Sequence, residues 1–365
     1  MLPEIGTRPP SKILYVETLR GIACLLLVSY HVIGNTSLNG LQLPPEHIYS
    51  FLNRMFVDVR MPLFSFISGF VFNCYARDSA ALGGKISSKA RRLLLPMIVV
   101  GSLHYWTQYL VVPLDRDHLS YIEIFFLPYE HFWYLQATFV LMAVSYLLSF
   151  AMKGDGVRTM SLLWLPCIIG YVFVTRWSPD VFSAYKALYL APYFIAGYLL
   201  GHAPAAITRM AILSKLPAAR ALAAILLLAL FSIEFLLLTD AVTFNEPTKR
   251  AFGFLVGLSA CGSFFLWRIK SRALAFIGDK SYAIFLLHVF FTAGSRIVLL
   301  KLAPALSVDV LFLVGVLSGV FGPIGIYWLA LKHPVPALLL FGVWRRPVLG
   351  HADQPPTPAS KQPAT

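Results

Sequence analysis

The chain has 365 residues, of which 58% are hydrophobic and only 13% charged, with a mean hydropathy of +0.71 and a formal net charge of +13. A soluble domain of this length carries about twice that share of charge, so composition excludes a soluble enzyme with a single anchor. It predicts an all-α polytopic membrane protein.

Arg8 and Lys12 precede the first apolar run and resemble the start of a signal peptide. No small-x-small cleavage site follows, and Arg20 interrupts the run, so a retained first span is expected. Ten long apolar stretches follow in order. They cover Ile13–Ile33, Phe56–Tyr75, Leu93–Val112, Phe132–Met152, Leu162–Thr175, Leu188–Gly201, Ala219–Leu238, Ala251–Trp267, Tyr282–Leu300 and Val310–Leu331. With the N-terminus placed in the cytoplasm, the inner segments hold twenty Lys and Arg and the outer segments nine. That bias predicts about ten transmembrane helices with both termini cytoplasmic. The acidic residues lean outward, with Asp115, Asp117, Glu123 and Glu130 in one loop. The excess positive charge is thereby a topology signal and calls for no nucleic-acid partner. No repeat period stands out. One membrane-embedded domain is expected over residues 1–350. A Pro-, Ala- and Gln-rich tail over 351–365 is expected to be disordered.

Cys24, Cys74, Cys167 and Cys261 each lie in or beside an apolar stretch and read as small buried hydrophobes. The nine histidines show no paired metal-ligand spacing, so no metal is expected. In the first span, Glu17, Arg20, Cys24 and His31 fall near one stripe of a helix, with Arg20 and His31 about 16 Å apart along its axis. Ionisable groups inside a span are costly and mark a functional site by default.

The short motifs of the chain resemble those of the acyltransferase-3 family of integral membrane O-acyltransferases. ETLRGIACLLLVSYH of the first span resembles the family's Arg-x10-His opening. MPLFSFISGFVF, SKARRLLLP, HFWYL and SYAIFLLH resemble its later motifs, in the family's order. Glu17 stands where the family commonly has Asp, and the C-terminal esterase-like domain that some members carry is not expected here. The resemblance implies transfer of an acyl group, often acetyl, from a cytoplasmic acyl-CoA to a hydroxyl of a saccharide or related acceptor. It implies no bound cofactor beyond that co-substrate. It suits a multi-pass protein of the inner (cytoplasmic) membrane, with membrane lipid, acyl-CoA and a saccharide or lipid-linked glycan as partners.

Ester formation needs a base for the hydroxyl proton and stabilisation of the thioester oxyanion. His31, near the outer end of its span, has the intrinsic pKa for the base or relay; the alternative is an interfacial histidine snorkelling to headgroups. Arg20 could polarise the donor carbonyl or hold a CoA phosphate, with Glu17 orienting it; otherwise the pair only locks helix packing. Lys89, Arg91 and Arg92 suit the CoA phosphates, or simply anchor the third span on the positive side. His131 is a further catalytic candidate. Asp58, Arg60, Trp133 and His288 are candidates for a shared cavity, with an aromatic belt and a packing histidine as the plain alternatives. Ser68 and Gly69 suit close helix contact. A secondary transporter or flippase with a polar path along the Arg20–His31 face is the rival from another class, and a scaffold or regulatory membrane subunit is a third.

Overall fold

The computed structural model describes residues 13–34, 39–111, 119–175 and 177–344. Among these the chain is helix and loop, with no strand. The helices are α1 (Leu14–Ile33), α2 (Ile48–Met55), α3 (Val57–Phe70), α4 (Ser79–Val111), α5 (Trp133–Ala151), α6 (Gly156–Phe173) and α7 (Ala184–Gly201). They continue with α8 (Pro204–Leu213), α9 (Pro217–Leu238), α10 (Glu246–Trp267), α11 (Arg272–Asp279), α12 (Ser281–Leu302), α13 (Val308–Ala330) and α14 (Pro334–Phe341). Asp155, Asn245, Ser271 and Ser307 start α6, α10, α11 and α13, each accepting an amide of the first turn with its side chain, which satisfies one of the donors a helix leaves open there.

Each of the ten predicted apolar stretches contains a helix, the second only over Val57–Phe70 and the fifth only to Phe173. By length and composition, α1, α5 with the turns before it, α6, α9, α10, α12 and α13 can cross a membrane, and α7 with α8 forms an eighth unit bent by 89°. Helix α3 has 14 residues, about 21 Å, which is short of a ~30 Å hydrocarbon core. Helix α4 has 33 residues and starts well before its apolar part. Lys89, Arg91 and Arg92 therefore stand on helical turns and not on a loop. Arg8, Lys12, Asp115, Asp117 and the expected tail from His351 lie outside the described residues.

Outside its Glu17–Arg20–His31 stripe, helix α1 is apolar, and it is surrounded by α3, α11, α12 and α13, as expected of a helix in the middle of a bundle. Helix α9 is more apolar still, yet only Leu227 and Glu234 are buried, so its surface is left for lipid. Helices α3 and α7 touch backbone to backbone. A Cβ on Gly69 would lie 1.9 Å from the Phe194 carbonyl oxygen, and one on Gly197 2.0 Å from that of Phe66. Absence of side chains lets helices approach this closely, and it agrees with the expected packing role of Gly69. Cys24, Cys74 and Cys261 are buried and Cys167 half-buried, all as free thiols.

Candidate active site

Glu17, Arg20, Cys24 and His31 share one stripe of α1, because 3.6 residues per turn returns positions three, seven and fourteen along to nearly the same face. At one end of the stripe, Arg20 Nη1 donates to Glu17 Oε1 at 2.7 Å. The Glu17 side chain is 9% exposed and that of Arg20 27%. Glu17 Oε2 is buried with no hydrogen-bond partner among the described residues. Helix α11 pins this turn in place. A Cβ on Gly278 would lie 1.9 Å from the Glu17 carbonyl oxygen, and the Ser271 amide donates to Thr18 Oγ1 at 3.1 Å. Tyr134 of α5 and Cys24 lie within the electrostatic reach of Arg20.

At the other end, His31 meets two histidines from distant parts of the chain. Its ring centroid is 4.7 Å from that of His288 on α12 and 5.8 Å from that of His131, in the 3-10 turn that leads into α5. His131 and His288 are 4.9 Å apart. His288 and His131 are buried, at 0% and 4% exposure, while His31 is partly accessible. His288 Nδ1 lies 2.9 Å from the carbonyl oxygens of both Ile284 and Phe285. Only a protonated Nδ1 can donate to them, so in the neutral ring Nε2 carries the lone pair. That Nε2, and both nitrogens of His131, are buried without a well-aligned partner among the described residues. Buried polar atoms are almost always satisfied, so His288 Nε2, unpartnered among the described residues beside a partly accessible imidazole, makes this cluster the candidate site.

A fourth histidine extends the group. His104 of α4 has its ring 5.9 Å from His131. Tyr129 donates its hydroxyl proton to Gln108 Oε1 at 2.7 Å, so His104 Nδ1–H donates to the Tyr129 oxygen at 2.9 Å. Gln108 Nε2 in turn donates to Glu130 Oε1 at 3.1 Å. This chain of bonds runs from the exposed Glu130 to the buried imidazoles. Glu130 itself holds φ +43°, in the left-handed region that few non-glycine residues adopt.

Arg60 flanks the same end of α1. It is buried, donates to Asn53 Oδ1 at 2.5 Å, and holds its guanidinium 4.2 Å from the Tyr30 ring centroid. Asn53 donates to the Gly34 carbonyl at 2.8 Å. These contacts fix the α1 terminus that presents His31.

The sequence-predicted residues thus divide. His31, His131 and His288 come together, with Arg60 one ring away. Glu17 and Arg20 pair three turns along α1. Trp133 does not join the histidines: Lys186 lies 4.9 Å over its ring, towards α7. Asp58 lines a separate cavity of about 270 Å³ between the ends of α3, α6, α7 and α10. The predicted cation trio is reset by helix geometry, since Lys85, Lys89 and Arg92 follow one face of α4 and Arg91 points about 100° away from Arg92. Burial, then the charges of Arg92 and Lys85, hold the Lys89 ammonium pKa below its ordinary value. No hydrogen bond or ion pair among the described residues joins these cations to Glu17 or Arg20. His104 and Glu234 were not singled out, though each is an ionisable residue inside an apolar stretch. No group of His, Cys, Asp or Glu among the described residues is arranged to hold a metal ion.

A family model described as an acyltransferase domain, that of the acyltransferase-3 family, matches residues 13–331. The match takes in α1 to α13 and all four clustered histidines. Searches of curated proteins and of solved structures each returned no match.

Proposed function

We propose, from the premise that the chain belongs to the acyltransferase-3 family of membrane acyltransferases, that it moves an acyl group, in the first instance acetyl, from a cytoplasmic acyl-CoA to a hydroxyl of a saccharide or related acceptor. The convergence of His31, His131 and His288 from three separate parts of the chain is the observation that carries this reading.

In the proposed step, His31 takes the proton from the acceptor hydroxyl as its oxygen attacks the thioester carbonyl. The C–S bond breaks, the new ester C–O bond forms, and the proton passes to the CoA sulfur, so the products are the acyl ester and free CoA thiol. His288, with Nδ1–H committed to backbone carbonyls, offers Nε2 as an acceptor that steers the neighbouring imidazoles. The Glu17–Arg20 pair lies about 16 Å along α1, too far to touch the same hydroxyl. Arg20 suits the far part of the donor instead, holding a CoA phosphate, with Glu17 fixing its guanidinium. Lys85, Lys89 and Arg92 supply further positive charge for the donor phosphates. The positive-side bias of the loops supports a cytoplasmic position for those cations and one near the outer face for His31. The family membership argues against the transporter and scaffold readings of the same polar stripe.

The test is direct. The purified chain in detergent, given acetyl-CoA and a panel of glycans, is expected to release free CoA thiol only when a suitable glycan is present, with the acetyl label recovered on the glycan. Movement of a solute across a bilayer with no CoA release would contradict it.

A further inference from the structure

The cavity beside Asp58 plays no part in the proposed proton transfer, and its lining is unusual for a membrane protein. Tyr171 and Tyr189, which stack with centroids 5.3 Å apart and 25° between planes, both line it. Asp58, Glu246, Lys249 and Arg250 complete the polar wall. Arg250 is anchored by a 2.5 Å bond from Nη1 to the Val174 carbonyl. Asp58 and Lys249 make no hydrogen bond or ion pair with any described residue, although each lies in the other's electrostatic field. The Asp58 carboxylate occupies space that only a glycine leaves open: a Cβ on Gly253 would lie 2.7 Å from Asp58 Oδ2.

We propose that this cavity is a binding subsite for a neutral pyranose unit of the acceptor, an inference that rests on the reading of the acceptor as a saccharide. Two carboxylates face two cations, so the pocket carries no net charge and gives no advantage to a phosphate or a polyanion. Asp58, with no bonded partner among the described residues, accepts hydroxyl donors, Lys249, likewise without one among them, donates to hydroxyl oxygens, and the tyrosine rings in the lining offer apolar surface to the C–H side of a sugar ring. The volume lies at the lower edge of small-molecule pockets, enough for one ring. Asp58 and Arg60, two positions apart on α3, point about 200° from each other around that helix, so the subsite lies on the side of α3 away from Tyr30 and His31 and would hold a unit of the acceptor other than the one acylated.

The experiment measures binding without chemistry. Methyl glucoside, methyl galactoside and methyl N-acetylglucosaminide are titrated into the purified full chain, with no acyl donor, by calorimetry and saturation-transfer NMR. The expected result is saturable binding of at least one, weakened about tenfold or more by Asp58→Asn and by Tyr189→Leu, and unchanged by His31→Ala. Lys249→Gln serves as the third variant if thermal unfolding shows that either of the first two is misfolded. No saturable binding to any of the three, equal binding by the pocket variants, or equally tight competition from glycerol phosphate would overturn the proposal. Normal acyl transfer by His31→Ala would instead overturn the catalytic reading and leave the binding result standing.

Discussion

His31 and His288 meet with ring centroids 4.7 Å apart, although one lies on the first helix and the other on the twelfth. The two backbone carbonyls that accept from His288 Nδ1 leave Nε2 as the group turned loose inside the cluster. His288→Asn, which keeps a short amide donor but removes Nε2, is expected to lower acyl transfer by about 10²-fold with little change in thermal unfolding. An unchanged rate would make His288 a packing residue.

The Glu17–Arg20 pair is half inside the protein. Removing one partner of a fully buried pair costs about 3–5 kcal/mol, whereas an exposed pair is worth about 0–1 kcal/mol. With Arg20 27% exposed, Glu17→Gln is expected to cost between these limits, about 1–3 kcal/mol, and to raise the KM for the acyl donor more than that for the acceptor. Glu17→Asp, the residue common in the family, is expected to retain most of both. Denaturant or thermal unfolding alongside steady-state kinetics checks this.

Tyr129 is the middle of the bonded chain from Glu130 to His104. Tyr129→Phe removes the oxygen that accepts from His104 Nδ1–H and leaves a buried donor unsatisfied, at a cost of about 1–3 kcal/mol. Because the chain reaches the site only through His104 and His131, transfer is expected to fall less than in the His288 variant. A pH–rate profile is the sharper readout: a shifted profile supports a role in setting the imidazole protonation state, and an unshifted one makes the chain structural.

On α4, Lys89→Gln is expected to raise the donor KM several-fold and to flatten its salt dependence, while Arg91→Gln, on another face, changes it little. Burial, Arg92 and Lys85 hold the Lys89 pKa down, so a bound polyphosphate raises it again. Donor binding should then take up a proton as pH climbs through the lowered pKa, and affinity should fall in that window. Titration calorimetry in buffers of different ionisation enthalpy measures the uptake. Equal effects of the two substitutions would argue for a plain membrane anchor.

Much of this arrangement was legible in the sequence, for reasons that can be named. The Glu17–Arg20–His31 stripe follows from the helical period alone, and the apolar stretches became helices because a lipid phase demands internal backbone bonding. His131 and His288 were legible only through short motifs, since nothing in one chain's spacing says that the turn before α5 and helix α12 bring their histidines to His31. His104 carried a signal, an ionisable residue within the third span, but its importance depends on Tyr129 and Gln108, which are tertiary neighbours. Trp133 carried two readings, and Lys186 from α7 takes its ring. The cations before the third span lie outside the apolar run that begins at Leu93, and only the structure shows that the helix already begins at Ser79. The short helices α2, α8, α11 and α14 were not foreseen. Of these α11 matters most, because it clamps the turn that holds Glu17.

His31 is the group on which acyl transfer is expected to depend most. In a single-turnover assay with radiolabelled acetyl-CoA and a working acceptor, His31→Ala is expected to bind the donor and unfold at nearly the wild-type temperature while transferring label about 10²–10⁴-fold more slowly. Transfer at the wild-type rate in that variant would contradict the assignment of the histidine cluster as the place where the acyl group changes hands.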